Sequence, residues 1–253
     1  MNHPIHYFIH VPKTAGVTIR HWLLQAFARD EVLFVYRGQI PEDPTALSFW
    51  IDEIIARVAE LPAALKLLFG HFPFDPSWFV HPGCRGLGFV REPRARIVSW
   101  RRYVERRGPV LPDRRLGELA LQLRAGMGLR EASAAVGGIA ELDNGIVRMF
   151  ANAQGPVGSV DESVLARALD HIDQHFVFVG HLDHFESSMH RIAAILGREY
   201  RPQPEQNRSG ARRSEDELAL EDRDWLESLV AFDDRLVASV LARFHSPDDS
   251  STC

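Results

Sequence analysis

The stretch "HVPKTAG", residues 10–16, follows the apolar run "IHYFI" and precedes "VTIRHWLLQAF", a segment with helical periodicity. A lysine, two small residues and a glycine at a strand-to-helix turn suit an anion. Backbone N–H groups at the start of the following helix point toward the loop, and the helix dipole favours negative charge there. Lys13 adds a mobile positive charge, the Thr14 and Thr18 hydroxyls can donate to oxygens, and Gly16 lets the backbone approach closely. A Walker A loop, G-x-x-x-x-G-K-(S/T), has the opposite order, whereas here Lys13 comes three residues before Gly16. The apolar runs also lead into arginine ("LFVYR", "GFVRE") or glycine ("FVFVG"), not into the acidic residue that would help hold magnesium. ATP with magnesium fits poorly. The loop suits a phosphate or sulfonate that needs no metal.

Outward from this unit, residues 5–11, 32–36, 65–69, 87–90 and 176–179 are apolar or aromatic rather than alternating. Strands buried on both faces of a parallel sheet have this character. Helical stretches at 17–28, 45–60, 93–107 and 185–196 alternate with them. The alternation predicts an α/β fold: a doubly wound, mostly parallel sheet of about five strands flanked by helices. Residues 116–168 hold no strand pattern and read as a helical insertion within one domain spanning 1–245. Two C-terminal helices, 214–229 and 231–244, are expected to follow, with 246–253 a disordered tail.

The 253 residues carry a net charge of −5, which argues against a general nucleic-acid binder. Two cysteines, Cys84 and Cys253, build no disulfide framework. The first residues lack the pattern of a signal peptide, and no apolar run approaches ~18 residues. A cytoplasmic protein without a membrane span is the expectation.

"PKTAGVT" resembles the 5′-phosphosulfate loop of sulfotransferases that use 3′-phosphoadenosine 5′-phosphosulfate (PAPS), commonly P-K-T-(A/G)-(G/S)-(S/T)-(S/T). The closest likeness is to the branch of heparan sulfate 2-O-sulfotransferases and bacterial carbohydrate sulfotransferases. Val17 stands where that pattern has a hydroxyl. "FVREPRARIVSW", residues 89–100, resembles the family's 3′-phosphate signature, V-(I/V/L)-R-(D/E)-P-x-x-R-x-x-S. "LFGHFPF", "ELDNGIVRMFA" and "FVFVGHLDHFESSMHRIAAILG" are weaker echoes, so the likeness covers most of residues 5–200.

The resemblance implies that Lys13, Thr14, Ala15, Gly16, Val17 and Thr18 hold the 5′-phosphosulfate and that Arg91 and Ser99 hold the 3′-phosphate. It implies PAPS as co-substrate, adenosine 3′,5′-bisphosphate as product, and a carbohydrate or other hydroxylated small molecule as acceptor. In "EQNRSGARR", Arg208, Ser209 and Gly210 correspond to a loop over the nucleotide, or belong to an ordinary polar loop. A base must take the acceptor's proton. His71 is the first candidate, because it follows a strand at the sheet edge that carries the loop; the plain alternative is a histidine that only hydrogen-bonds a loop carbonyl. Glu92 and His10 are rivals, Glu92 having the simpler use of pairing with an arginine or capping a helix, and His10, at the end of the first strand, a structural one. Seven arginines lie within 91–107; a solvated helix face accounts for most, and an entrance for an acidic acceptor is the sharper reading. The competing functions are a nucleotide-dependent kinase or NTPase and a catalytically silent nucleotide-binding module.

Overall fold

The computed structural model describes residues 5–35, 64–76, 84–110, 113–202 and 220–246. The expected helix at 45–60, the loop with Arg208, Ser209 and Gly210, and the tail from 247 onward lie outside the described residues. Five strands run β1 (His6–His10), β2 (Val32–Val35), β3 (Leu67–Gly70), β4 (Arg85–Val90) and β5 (Phe176–His181). They form one sheet in the order β2-β3-β1-β4-β5, with every pairing parallel. All five residues of β1 and all four of β3 are buried, which is why these strands are apolar without alternation.

Eight α-helices occur among the described residues. α1 (Gly16–Ala26) follows β1, and α2 (Pro93–Arg107) follows β4. Within the expected insertion lie α3 (Arg114–Arg124), α4 (Leu129–Ala135), α5 (Gly145–Ala151) and α6 (Glu162–His175). α7 (Phe185–Ile195) and α8 (Leu220–Phe244) complete the described chain. Among the described residues no helix is long and apolar enough to cross a membrane.

Buried side chains form two clusters. One joins the sheet to α1, α5, α6, α7 and the second half of α8. The other joins Ile97, Trp100 and Val104 of α2 to α3, α4 and the first half of α8, through Leu226, Leu229 and Val230. The expected break between two C-terminal helices at residue 230 is therefore corrected. One helix crosses it, because buried positions 222, 226, 229, 230, 233, 236, 237, 240 and 244 keep helical spacing throughout.

Helix starts are capped largely by carboxylates. Glu92, Asp113 and Asp161 cap α2, α3 and α6 locally. α4 and α5 have no local side-chain cap and borrow theirs from α8. Asp222 accepts from the Leu129 and Arg130 amides, and Asp233 from those of Ile146 and Val147. Asn144 returns the contact: its Oδ1 accepts from the Phe232 and Asp233 amides, and its own amide donates to the Leu229 carbonyl. Asp233 also faces Arg96 at 3.5 Å, both side chains fully buried.

Candidate active site

The loop after β1 is built around two left-handed residues, Lys13 (φ 75°) and Ala15 (φ 62°). Non-glycine residues in this region cost ~1 kcal/mol or more each, and such strain collects at functional sites. Alternating backbone of this kind turns successive N–H groups inward, forming a concavity for an anion. The first helical bond of α1 runs from the Ile19 amide to the Ala15 carbonyl, and no side chain caps the helix. The Gly16, Val17 and Thr18 amides thus have no acceptor within the helix. Gly16 is required here because a Cβ would fall 1.7 Å from His10 Cε1.

The Thr14 hydroxyl has a different use from the expected one. It is fully buried and donates to the Val11 carbonyl at 2.7 Å, so it closes the loop on itself. Thr18 is half-buried in the first turn of α1. Val17 is 55% exposed at the loop mouth, where it builds no part of the core.

Register brings the other predicted residues to the same edge. Ile9 pairs with Gly70, and His10 with Phe89, so His71 and Arg91 each leave the sheet level with the loop. β1 connects toward β2 on one side, while β4 leads toward β5 on the other. The crevice between β1 and β4 is thus the switch point where open α/β sheets bind ligands. Arg91 Nη1 spans it, donating to the Lys13 carbonyl at 3.4 Å. On the β3 flank, His71 Nδ1 lies 2.9 Å from the His10 carbonyl. A carbonyl only accepts, so Nδ1 carries the proton and Nε2 the lone pair.

Lys13 is pulled down to about 8, first by burial and then by the charges of Arg106 and Arg91. Its ammonium lies 4.5 Å from the centre of the Tyr103 ring. Burial also pulls Arg91 down, but a guanidinium keeps its charge at physiological pH.

No protein-family model and no curated protein matches the chain. A solved sulfotransferase from Alicyclobacillus acidocaldarius aligns with 97% of this chain and 97% of its own, with a TM-score of 0.51 and 14% identity. The chain has the fold of a sulfotransferase. A mouse sulfotransferase, SULT7A1 complexed with PAP, aligns over 79% of this chain and 60% of its own, at a TM-score of 0.44 and 15% identity.

Within this sulfotransferase fold, Glu92 has a structural use. Its carboxylate accepts from the Arg94 and Ala95 amides at the start of α2, and Arg94 Nη1 lies 3.3 Å away. Ser99 is half-buried two turns into the same helix. Three of the seven arginines are likewise committed to carboxylates. Arg94 binds Glu227 and Asp234, Arg96 faces Asp233, and Arg101 binds Glu105. Arg106 is different, being exposed and close enough to depress Lys13.

Two features escaped the sequence reading. Tyr103, beneath Lys13, sits four residues after Ser99 and so on the same face of α2; an aromatic inside an arginine run was the available signal. In "ELDNGIVRMFA", Asp143 and Arg148 form a buried ion pair, and Arg148 also donates to the Gly155 and Pro156 carbonyls. That pair holds a loop rather than a ligand. Among the described residues no group of three or more His, Cys, Asp or Glu side chains is arranged to hold a metal ion.

Proposed function

We propose that this protein transfers a sulfuryl group from PAPS to a hydroxyl, or an amine, of a carbohydrate or another small acceptor, without a metal. One observation carries the reading. The Lys13 loop with its uncapped helix and the Arg91 guanidinium meet across a single crevice, through the contact to the Lys13 carbonyl. Two anion-binding groups side by side suit a nucleotide with charge at both its 5′ and 3′ positions.

PAPS, when bound, supplies a sulfuryl group whose sulfur–oxygen bond to phosphate breaks as the acceptor oxygen attacks sulfur. Lys13 and the first amides of α1 bind the departing phosphate and neutralise charge on its bridging oxygen. Arg91, with Ser99, holds the 3′-phosphate on the β4 flank. His71, on the β3 flank, takes the acceptor's proton at Nε2. The nucleotide then lies toward β4 and the acceptor enters from the β3 side. Arg106, at the far end of α2, favours an acceptor that carries negative charge. In having a histidine after the third strand, the site is similar to the 2-O-sulfotransferase branch.

Adenosine 3′,5′-bisphosphate is expected to bind at least about tenfold more tightly than adenosine 5′-monophosphate. Losing one charge-assisted hydrogen bond costs ~1.5–3 kcal/mol, and Arg91 has that use only if a 3′-phosphate is present. Equal affinities by calorimetry would remove the 3′-site, and with it the distinction from an ordinary nucleotide binder.

Bisphosphate affinity is also expected to fall as pH rises through about 8. Above that pH the empty loop holds a neutral amine, and a bound anion restores the proton, so binding takes one up. The ligand's phosphates are fully ionised there and contribute no slope. Titrations on either side of about pH 8 should show the loss in the wild type and not in Lys13→Met. A wild-type affinity independent of pH would sink the assignment of Lys13 to the anion.

A further inference from the structure

We propose that His10 is a positioning residue: one buried imidazole sets both the ring plane of His71 and the seat of the anion loop at Gly16. This rests on the reading of His71 as the base. His10 ends β1 and is 6% exposed. Its ring stacks on Phe69 at 5.3 Å between centroids and lies against the His71 ring at 4.3 Å, tilted 32°. Its edge occupies the space beside Gly16, with Nε2 only 2.0 Å from where a Cβ would be. Its carbonyl accepts from His71 Nδ1. A single residue therefore touches the base through backbone and ring, and the loop through its edge.

Among the described residues, neither ring nitrogen of His10 has a hydrogen-bond partner. Burying two unpaired polar atoms opposes folding, so leucine would be the more stable choice if the position needed only bulk. Imidazole offers instead a flat aromatic ring smaller than phenyl. Its face attracts the imidazolium that forms when His71 takes a proton. Its narrow edge leaves room for Gly16. The charged and titratable groups facing it are His71 and Lys13, and burial together with both of them keeps it neutral. A neutral His10 does not oppose protonation of its neighbour.

The test uses the whole chain with ¹⁵N-labelled histidine. Imidazole spectra of the wild type are expected to show His71 protonated at Nδ1. His10→Leu keeps the backbone carbonyl but removes the flat face, so the His71 ring should turn from that carbonyl, mix its tautomers, lower kcat roughly 10–100-fold with little change in the KM for PAPS, and displace the rising limb of the pH–rate profile. His10→Phe keeps a flat ring beside His71 and should preserve its tautomer. Its larger edge presses on Gly16 and should weaken bisphosphate binding about tenfold. Three results overturn the proposal: wild-type His71 protonated at Nε2, a folded His10→Leu protein with the wild-type tautomer and pH limb, or a His10→Phe protein that binds bisphosphate normally. If one variant does not fold, the other decides; if neither folds, the ring serves folding rather than positioning, and the proposal is overturned. Failure of the base assignment looks different, because His71→Ala would then keep its turnover while the tautomer change in His10→Leu remained.

Discussion

Lys13→Ala is expected to slow transfer roughly 10²–10³-fold at saturating PAPS while weakening nucleotide binding far less. Charge on the bridging oxygen develops only as the sulfur–oxygen bond breaks, so a cation aimed there acts on the rate more than on affinity. The site prepares the lysine for that task. Burial and two nearby arginines leave its ammonium poorly stabilised in the empty loop, so it responds most to the charge that builds on the bridging oxygen as the bond breaks. The Tyr103 ring holds the amine on the α2 side of the loop. Single-turnover rates and bisphosphate calorimetry on the same preparation separate the two effects. Turnover close to the wild type would sink the proposed role of Lys13. Because the proposed mechanism gives the neutralising to Lys13 and the helix amides, adding EDTA is expected to leave the wild-type rate unchanged.

His71→Ala is the second large loss, roughly 10²–10⁴-fold, the range for a positioned acid or base. In the proposed mechanism its Nδ1 proton stays on the His10 carbonyl and Nε2 takes the acceptor's proton. Nucleotide affinity should change little, since the loop and Arg91 belong to other strands. The wild-type pH–rate profile should rise through one ionisation, and that limb should be missing from the variant. A histidine serving only packing would lower the melting temperature and bisphosphate affinity along with the rate. A folded, nucleotide-binding His71→Ala protein with normal turnover would end its role as base. Attention would not pass simply to Glu92, whose carboxylate already receives two amides of α2.

The fold was legible because a parallel sheet covered on both faces needs strands that are apolar throughout. Errors fall where this signal fades. β5 runs on through Gly180 and His181, which pair with Phe89 and Val90 although neither is an apolar strand former. β4 begins at exposed Arg85, before its apolar part. The positions of the loop and of Arg91 were legible through spacing, since both lie within a few residues of a strand end. Asn144, Asp222 and Asp233 were not. Each serves a partner more than eighty positions away, and such a contact leaves no periodicity in the sequence. The supposed gap in the last helix had the same origin. The chain at 229–233 looks like a junction because it changes partners there, from the small helical cluster to the sheet. His10 was visible in the sequence only as a rival base or a structural histidine; the role proposed for it depends on its shape between three neighbours, which no local pattern records.

The exchange of caps between α5 and α8 also bears on how the chain is made. A ribosome releases residues 146 and 147 long before residue 233, so the start of α5 emerges without the carboxylate that will receive its amides. Until then those buried donors have no protein acceptor, and α4 waits likewise for Asp222. Folding during synthesis can thus begin at the sheet but cannot finish there. The last described helix closes the insertion and the sheet in one event, and a nascent chain stalled before it would hold the phosphate loop without the packing that steadies it.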